Sequence, residues 1–102
     1  MRVLLKEPYQ KARMVSIPNN ADFINRFCGG HIDYSQIDDA VIISNRYGIL
    51  DFEEYNCTIG NQLFFGRIIF AGLDSSGLTD WPFSIDVSRT VFPELFEVKE
   101  DK

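Results

Sequence analysis

The chain has 102 residues, 45% of them apolar, with 9 Phe, 4 Tyr and 1 Trp, which excludes disorder and suffices for one core without metal or disulfide help. No apolar run nears the ~20 residues that span a bilayer, and Met1-Arg2-Val3-Leu4-Leu5-Lys6 is too short and too soon charged for a signal peptide. The formal charge is −5, with five basic and two acidic groups in residues 1–30 and five against thirteen in residues 31–102, a balance that argues against direct nucleic-acid contact, which needs clustered Lys and Arg.

In chain order, residues 2–7 read as a strand, residues 8–11 as a turn and residues 12–17 as a second strand, together an N-terminal β-hairpin that Pro18 ends. Asn19 or Asn20 caps a helix over residues 19–28, since an Asn side chain accepts from orphan N–H groups of the first turn. Phe23, Ile24, Phe27 and Cys28 form its apolar face, and Gly29-Gly30 stops it. Residues 31–34 alternate as a short strand, and Asp38-Asp39 make a polar corner. The unbroken apolar run Ala40-Val41-Ile42-Ile43 suits a central strand covered on both sides. Residues 45–48 form a turn, and Ile49-Leu50 start a returning strand. Residues 51–61 show neither period and read as a loop. Residues 62–71 are strongly β-prone, with Gly66 marking a bulge or bend. Residues 72–78 read as a loop. Thr79 then caps a final helix, with Asp80 and Pro82 in its first turn and Val87, Val91 and Phe92 on its apolar face, up to Pro93. The expected fold is a single α+β domain over residues 1–96. A mixed or antiparallel sheet of four to six strands is covered on one side by helix 19–28, and a C-terminal helix covers an edge or mediates pairing. Residues 97–102 read as a charged, frayed tail.

Cys28 and Cys57 form no Cys-x-x-Cys pair, and two Cys with one His fall short of a zinc site, so no metal or cofactor is expected. Without an export signal, the cytosol is the expected compartment and free thiols are favoured.

Several short motifs occur in a distinctive order. The opening Met1-Arg2-Val3-Leu4-Leu5-Lys6-Glu7-Pro8 resembles the MxVLxxEP start of an uncharacterised small-domain family of phages, prophages and conjugative elements of bacteria. A second strand ending in Ile17, a helix ending in Gly29-Gly30 and His31-Ile32-Asp33 resemble the segments that follow in that family, where the last is aromatic-Ile-Glu. Asn45 and Gly48 match its Asn-x-x-Gly turn. Asn56 matches the Asn of its Asn-Arg step, with Cys57 in place of the Arg. The stretch from Gly66 to Gly72 resembles its last strand, and Leu78-Thr79-Asp80 the approach to its C-terminal helix. The family carries no established activity, so the resemblance implies a setting in mobile elements rather than a mechanism.

No nucleophile elbow or phosphate-binding glycine loop is present. His31 is the only histidine, and Asp33 lies two residues on. A small hydrolase using His31 is therefore one reading, though no nucleophile accompanies the pair. The pairs Asp38-Asp39 and Glu53-Glu54 point to opposite sides of an extended chain and make no ready chelate. Asn45, Tyr47, Tyr55, Asn56 and Asn61 combine amide donors and acceptors with stackable rings. Gathered at one sheet end, they would hold a nucleotide-like ligand, and an oligomeric sponge for a nucleotide-type signal is a second reading. Trp81 and Phe83, with Val91, Phe92, Leu95 and Phe96, place much apolar surface late in the chain, suited to a homodimer contact or a protein partner. The leading expectation is a small cytosolic phage or mobile-element accessory protein. It is a non-enzyme that binds a host or element protein stoichiometrically, for instance to blunt a defence system, and does not contact membrane. Its acidic surface would keep it soluble, or imitate a phosphate backbone.

Overall fold

In the first strand Val3 and Leu5 point to one side, Leu4 and Lys6 to the other, and all four are buried. Such a strand must be covered on both faces. A computed structural model, which describes residues 1–37 and 40–97, shows how this is achieved. The elements in chain order are β1 (Arg2–Lys6), β2 (Arg13–Ser16), α1 (Ala21–Phe27), β3 (Ile32–Ile37), β4 (Ala40–Asn45), β5 (Tyr55–Ile59), β6 (Gln62–Phe65), β7 (Ile68–Asp74), β8 (Gly77–Thr79) and α2 (Ile85–Val91), followed by a 3-10 turn at Pro93–Phe96.

Six strands make one antiparallel sheet in the order β2-β1-β7-β4-β3, with β8 paired to the far end of β7. β5 and β6 form a separate two-stranded hairpin. On the first face Val3, Leu5, Val41, Ile43, Ile69 and Ala71 pack with Ile17 and with Ile24 and Cys28 at α1. On the second, Leu4, Ala40, Ile42, Ile68 and Phe70 meet Cys57 and Phe64 of the hairpin, Trp81, and Leu95 of the C-terminal turn. The architecture is a three-layered α+β domain, and the apolar run of β4 lies between β3 and β7 with every residue buried. Among the described residues no helix is long and apolar enough to cross a membrane.

α1 is shorter than the expected 19–28. Asn20 is its cap, accepting from the Phe23 N–H at 3.0 Å, and Gly29 and Gly30, at φ +105° and +97°, take the left-handed turn that ends it.

Five expectations need correction. Residues 55–59 are a strand, not part of a loop; a bulge between Tyr55 and Cys57 breaks their alternation. Ile49-Leu50 start no strand but lie in a turn. The β-prone run 62–71 divides at Gly66-Arg67 into strands of two different sheets. Residues 72–78 are mostly strand, because β7 continues to Asp74 and turns back through β8. Thr79 caps nothing: it is paired with Gly72, and Ser84 caps α2 by accepting from the Val87 N–H. Val87 and Val91 are consequently exposed, while Ser88 is the buried residue of α2. The C-terminal segment lies over the second face, where Leu95 is fully buried and its carbonyl accepts from the Ala12 N–H at 2.9 Å. Asp38-Asp39 and most of the expected tail, 98–102, lie outside the described residues.

Cys28 and Cys57 are both buried and free, and they belong to opposite faces of the sheet. Burial pushes the Cys28 thiol up to about 12 and the Cys57 thiol to about 11. Two consequences follow. Both thiols should resist a disulfide-exchange reagent at pH 8 in the native state and react on unfolding. Stability should also fall with rising pH between about 9 and 12, because an unfolded Cys28 releases its proton near 9.0 while the folded one holds it to about 12. Lys6, whose pKa burial lowers from 10.5, acts in the opposite sense below that value. A Cys28→Ala chain, followed by urea titration across this range, should show a shallower alkaline loss.

Candidate binding surface

Asn45, the last residue of β4, organises the loop that leads to the hairpin. Its side-chain oxygen accepts from the Tyr47 N–H at 3.0 Å, an Asx turn. Its amide nitrogen donates to Asp51 Oδ2 at 2.9 Å and to Glu53 Oε1 at 2.7 Å. Backbone bonds from Asp51 N to Tyr47 O and from Glu53 N to Gly48 O close the loop on itself. Every polar group of the Asn45 side chain therefore serves the loop, and the residue is buried.

The fixed loop carries an apolar exterior. Ile49, Leu50 and Phe52 are exposed, Phe52 by 93%. Phe52 also sits at φ +57°, a left-handed conformation that costs a non-glycine residue about 1–2 kcal/mol. Across from the loop, Leu63 of β6 is exposed as well. A cavity of about 440 Å³ separates loop and hairpin, lined by Tyr47, Ile49, Leu50, Leu63 and Phe65 among others, with Asp33 and Arg46 at its polar side. Acidic residues punctuate this surface: Asp51, Glu53 and Glu54 flank Phe52 in sequence.

The residues singled out from sequence are not gathered in one place. Asn45 and Tyr47 line the cavity just described. Tyr55 and Asn56 line a second, of about 270 Å³, and Asn61 a third, beside the edge strand β3. Asn61 lies in the β5–β6 turn. Trp81 is 1% exposed and belongs to the core. Phe83 packs edge-on against it, ring centroids 5.2 Å apart, and stays partly exposed. His31 stands edge-on to Tyr47 at 5.4 Å, whereas Asp33 pairs with Arg46 at 3.6 Å. Among the described residues no group of three or more His, Cys, Asp or Glu could hold a metal ion.

Sequence reasoning missed Ile49, Leu50, Phe52 and Leu63, and also Lys6. The available signal was Gly-Ile-Leu-Asp-Phe-Glu-Glu, where bulky apolar residues alternate with acids outside either period.

No curated protein and no solved structure matches the chain. The family model that does match covers residues 1–86, the whole sheet, the hairpin and the start of α2. It is described as a domain of unknown function, DUF3846, and the chain belongs to that family.

Proposed function

We propose that this domain works as a stoichiometric protein-binding module, and that loop 46–54 with Leu63 is its contact surface. The observation that carries the reading is that Ile49, Leu50 and Phe52, on a loop that Asn45 ties through Asp51 and Glu53, and Leu63, on β6 across from it, are all more than half exposed. Rigid apolar anchors lose little entropy on binding. The acidic residues around Phe52 and the net charge of −5 fit an apolar segment with basic flanks on the partner. An accessory role in the cytosol of a phage or mobile-element host, directed at a host or element protein such as a defence component, belongs to the same reading. It rests on the resemblance noted from sequence. The nucleotide sponge is less favoured, because its candidate ligands are divided among three cavities. The His31 hydrolase is less favoured because Asp33 is engaged with Arg46.

The test is a chain with Ile49→Ser, Leu50→Asp and Phe52→Ser together. Each change is on the surface and should alter stability by no more than ~0.5 kcal/mol. A photo-crosslinker at Leu63 should join one basic-flanked partner in bacterial cells. The same group at Thr90, on α2, should not, and the triple substitution should abolish the adduct. Identical adducts from all three chains would end the proposal.

A further inference from the structure

Lys6 is 2% exposed at the end of β1. Its ammonium donates to the Glu7 carbonyl at 2.7 Å and stands within ion-pair distance of no described carboxylate. A buried cation without a counter-charge is costly, and burial accordingly lowers the Lys6 pKa. Asn56 adjoins it. The bulge in β5 turns this side chain inward, where its nitrogen donates to Lys6 O at 2.8 Å and to Gly66 O at 2.6 Å. Two carbonyls can only accept, so they fix the amide orientation. Its oxygen Oδ1 is then buried with no hydrogen-bond partner among the described residues, a state rare in folded proteins. Both residues line the cavity of about 270 Å³ between β1, β5 and the C-terminal turn. Tyr9, held at φ +62°, and Tyr55 contribute aromatic rings, and Glu94 and Glu97 contribute carboxylates. Left-handed conformations in non-glycine residues concentrate at functional sites.

We propose that this cavity is a binding site for a small zwitterion of the α-amino-acid class. Lys6 offers a cation and spare N–H donors to a carboxylate. Asn56 Oδ1 offers an unused acceptor, and Glu94 and Glu97 offer negative charge, to an ammonium. The tyrosine rings suit the ligand's carbon skeleton and attract its cationic end. A free phosphate or nucleotide fits worse, because its several negative charges would meet the two glutamates. This site is separate from the loop 46–54 surface and stands or falls independently of it.

The experiment is calorimetric titration of the intact chain with individual free amino acids at up to millimolar concentration. Each is compared with its analogue lacking the ammonium and its analogue lacking the carboxylate. At least one amino acid should bind, and each analogue should bind about tenfold or more weakly, the worth of one charge-assisted hydrogen bond. Lys6→Met, which removes a buried charge and keeps the stem, should fold and lose binding by about tenfold or more. Glu94→Gln should weaken it several-fold. Should Lys6→Met fail to fold, the Asn56 side-chain amide resonances of the unaltered chain supply the readout: they should shift on titration. Absence of binding by every amino acid, analogues that bind equally well, binding unchanged by Lys6→Met, or an amide signal that stays still under saturation would each overturn the proposal.

Discussion

A chain carrying Trp81→Ala should lose about 3–5 kcal/mol of stability, the usual cost of emptying a large aromatic site in a core. Against a typical total of ~5–15 kcal/mol, that removes a large share of the margin. The site gives little prospect of collapse. Trp81 meets Phe70 edge-on at 5.8 Å and Phe92 at 6.1 Å, and through them it joins β7 to the C-terminal segment. Its ring nitrogen donates to Ser88 Oγ at 2.8 Å, and that hydroxyl donates onward to Ser84 O at 2.7 Å. Removing the indole therefore also frees α2 from the sheet. Thermal unfolding should show a drop of about 15 °C or more, at ~4–8 °C per kcal/mol for a domain of this size. Ser88→Ala should cost less, about 1–3 kcal/mol, because it leaves the packing and orphans only the indole N–H. A fall of under ~5 °C in Trp81→Ala would mean that the C-terminal segment contributes little to the core.

The same residue shows where sequence reasoning reaches its limit. Trp81-Pro82 follows a strand and precedes a helix, and no local period marks it as core. Its burial comes from Phe70, eleven residues earlier, and Phe92, eleven later. The elements that were legible carried their determinants locally. α1 had Asn20 at its start, Phe23, Ile24 and Phe27 on one face and two glycines at its end. β4 had four consecutive apolar residues. β5 was not legible, because Asn56 bulges inward beside Cys57 and places two buried residues in succession. The false cap at Thr79 has a similar cause. Its pairing with Gly72 in β8 overrides its capping propensity, and Ser84 takes that role five residues later. The candidate surfaces were half visible. Asn45 and Asn56 stood out by residue type, but both spend their amide nitrogens within the fold. Lys6 did not stand out, since most of the residues that line the cavity with it arrive from 55–58 and 94–97.

Gly66→Ala should destabilise the fold, and the damage should pass to the loop 46–52. Gly66 sits at φ +75°, where any side chain costs about 1–2 kcal/mol. A methyl there would also overlap the Glu53 carboxylate, the group that accepts from Asn45 at 2.7 Å. On the α1 side Glu53 and Asn45 occupy space that Gly29 leaves open, since a Cβ there would lie 2.8 Å from Glu53 Oε1 and 2.5 Å from the Asn45 amide nitrogen. Losing that charge-assisted bond adds about 1.5–3 kcal/mol. The loop 46–52 would then keep only Asp51 on the Asn45 amide, and Phe52 would no longer be held in its strained conformation. Placing Gly66→Ala in a Glu53→Ala chain separates the two costs. With the carboxylate gone, the added methyl should cost only the backbone share, so the two substitutions should be non-additive by about 1.5–3 kcal/mol in urea unfolding. Strict additivity would show that Glu53 moves aside freely. The loop would then owe its shape to its backbone bonds, and the exposed apolar residues would lose the side-chain support on which their proposed role as binding anchors depends.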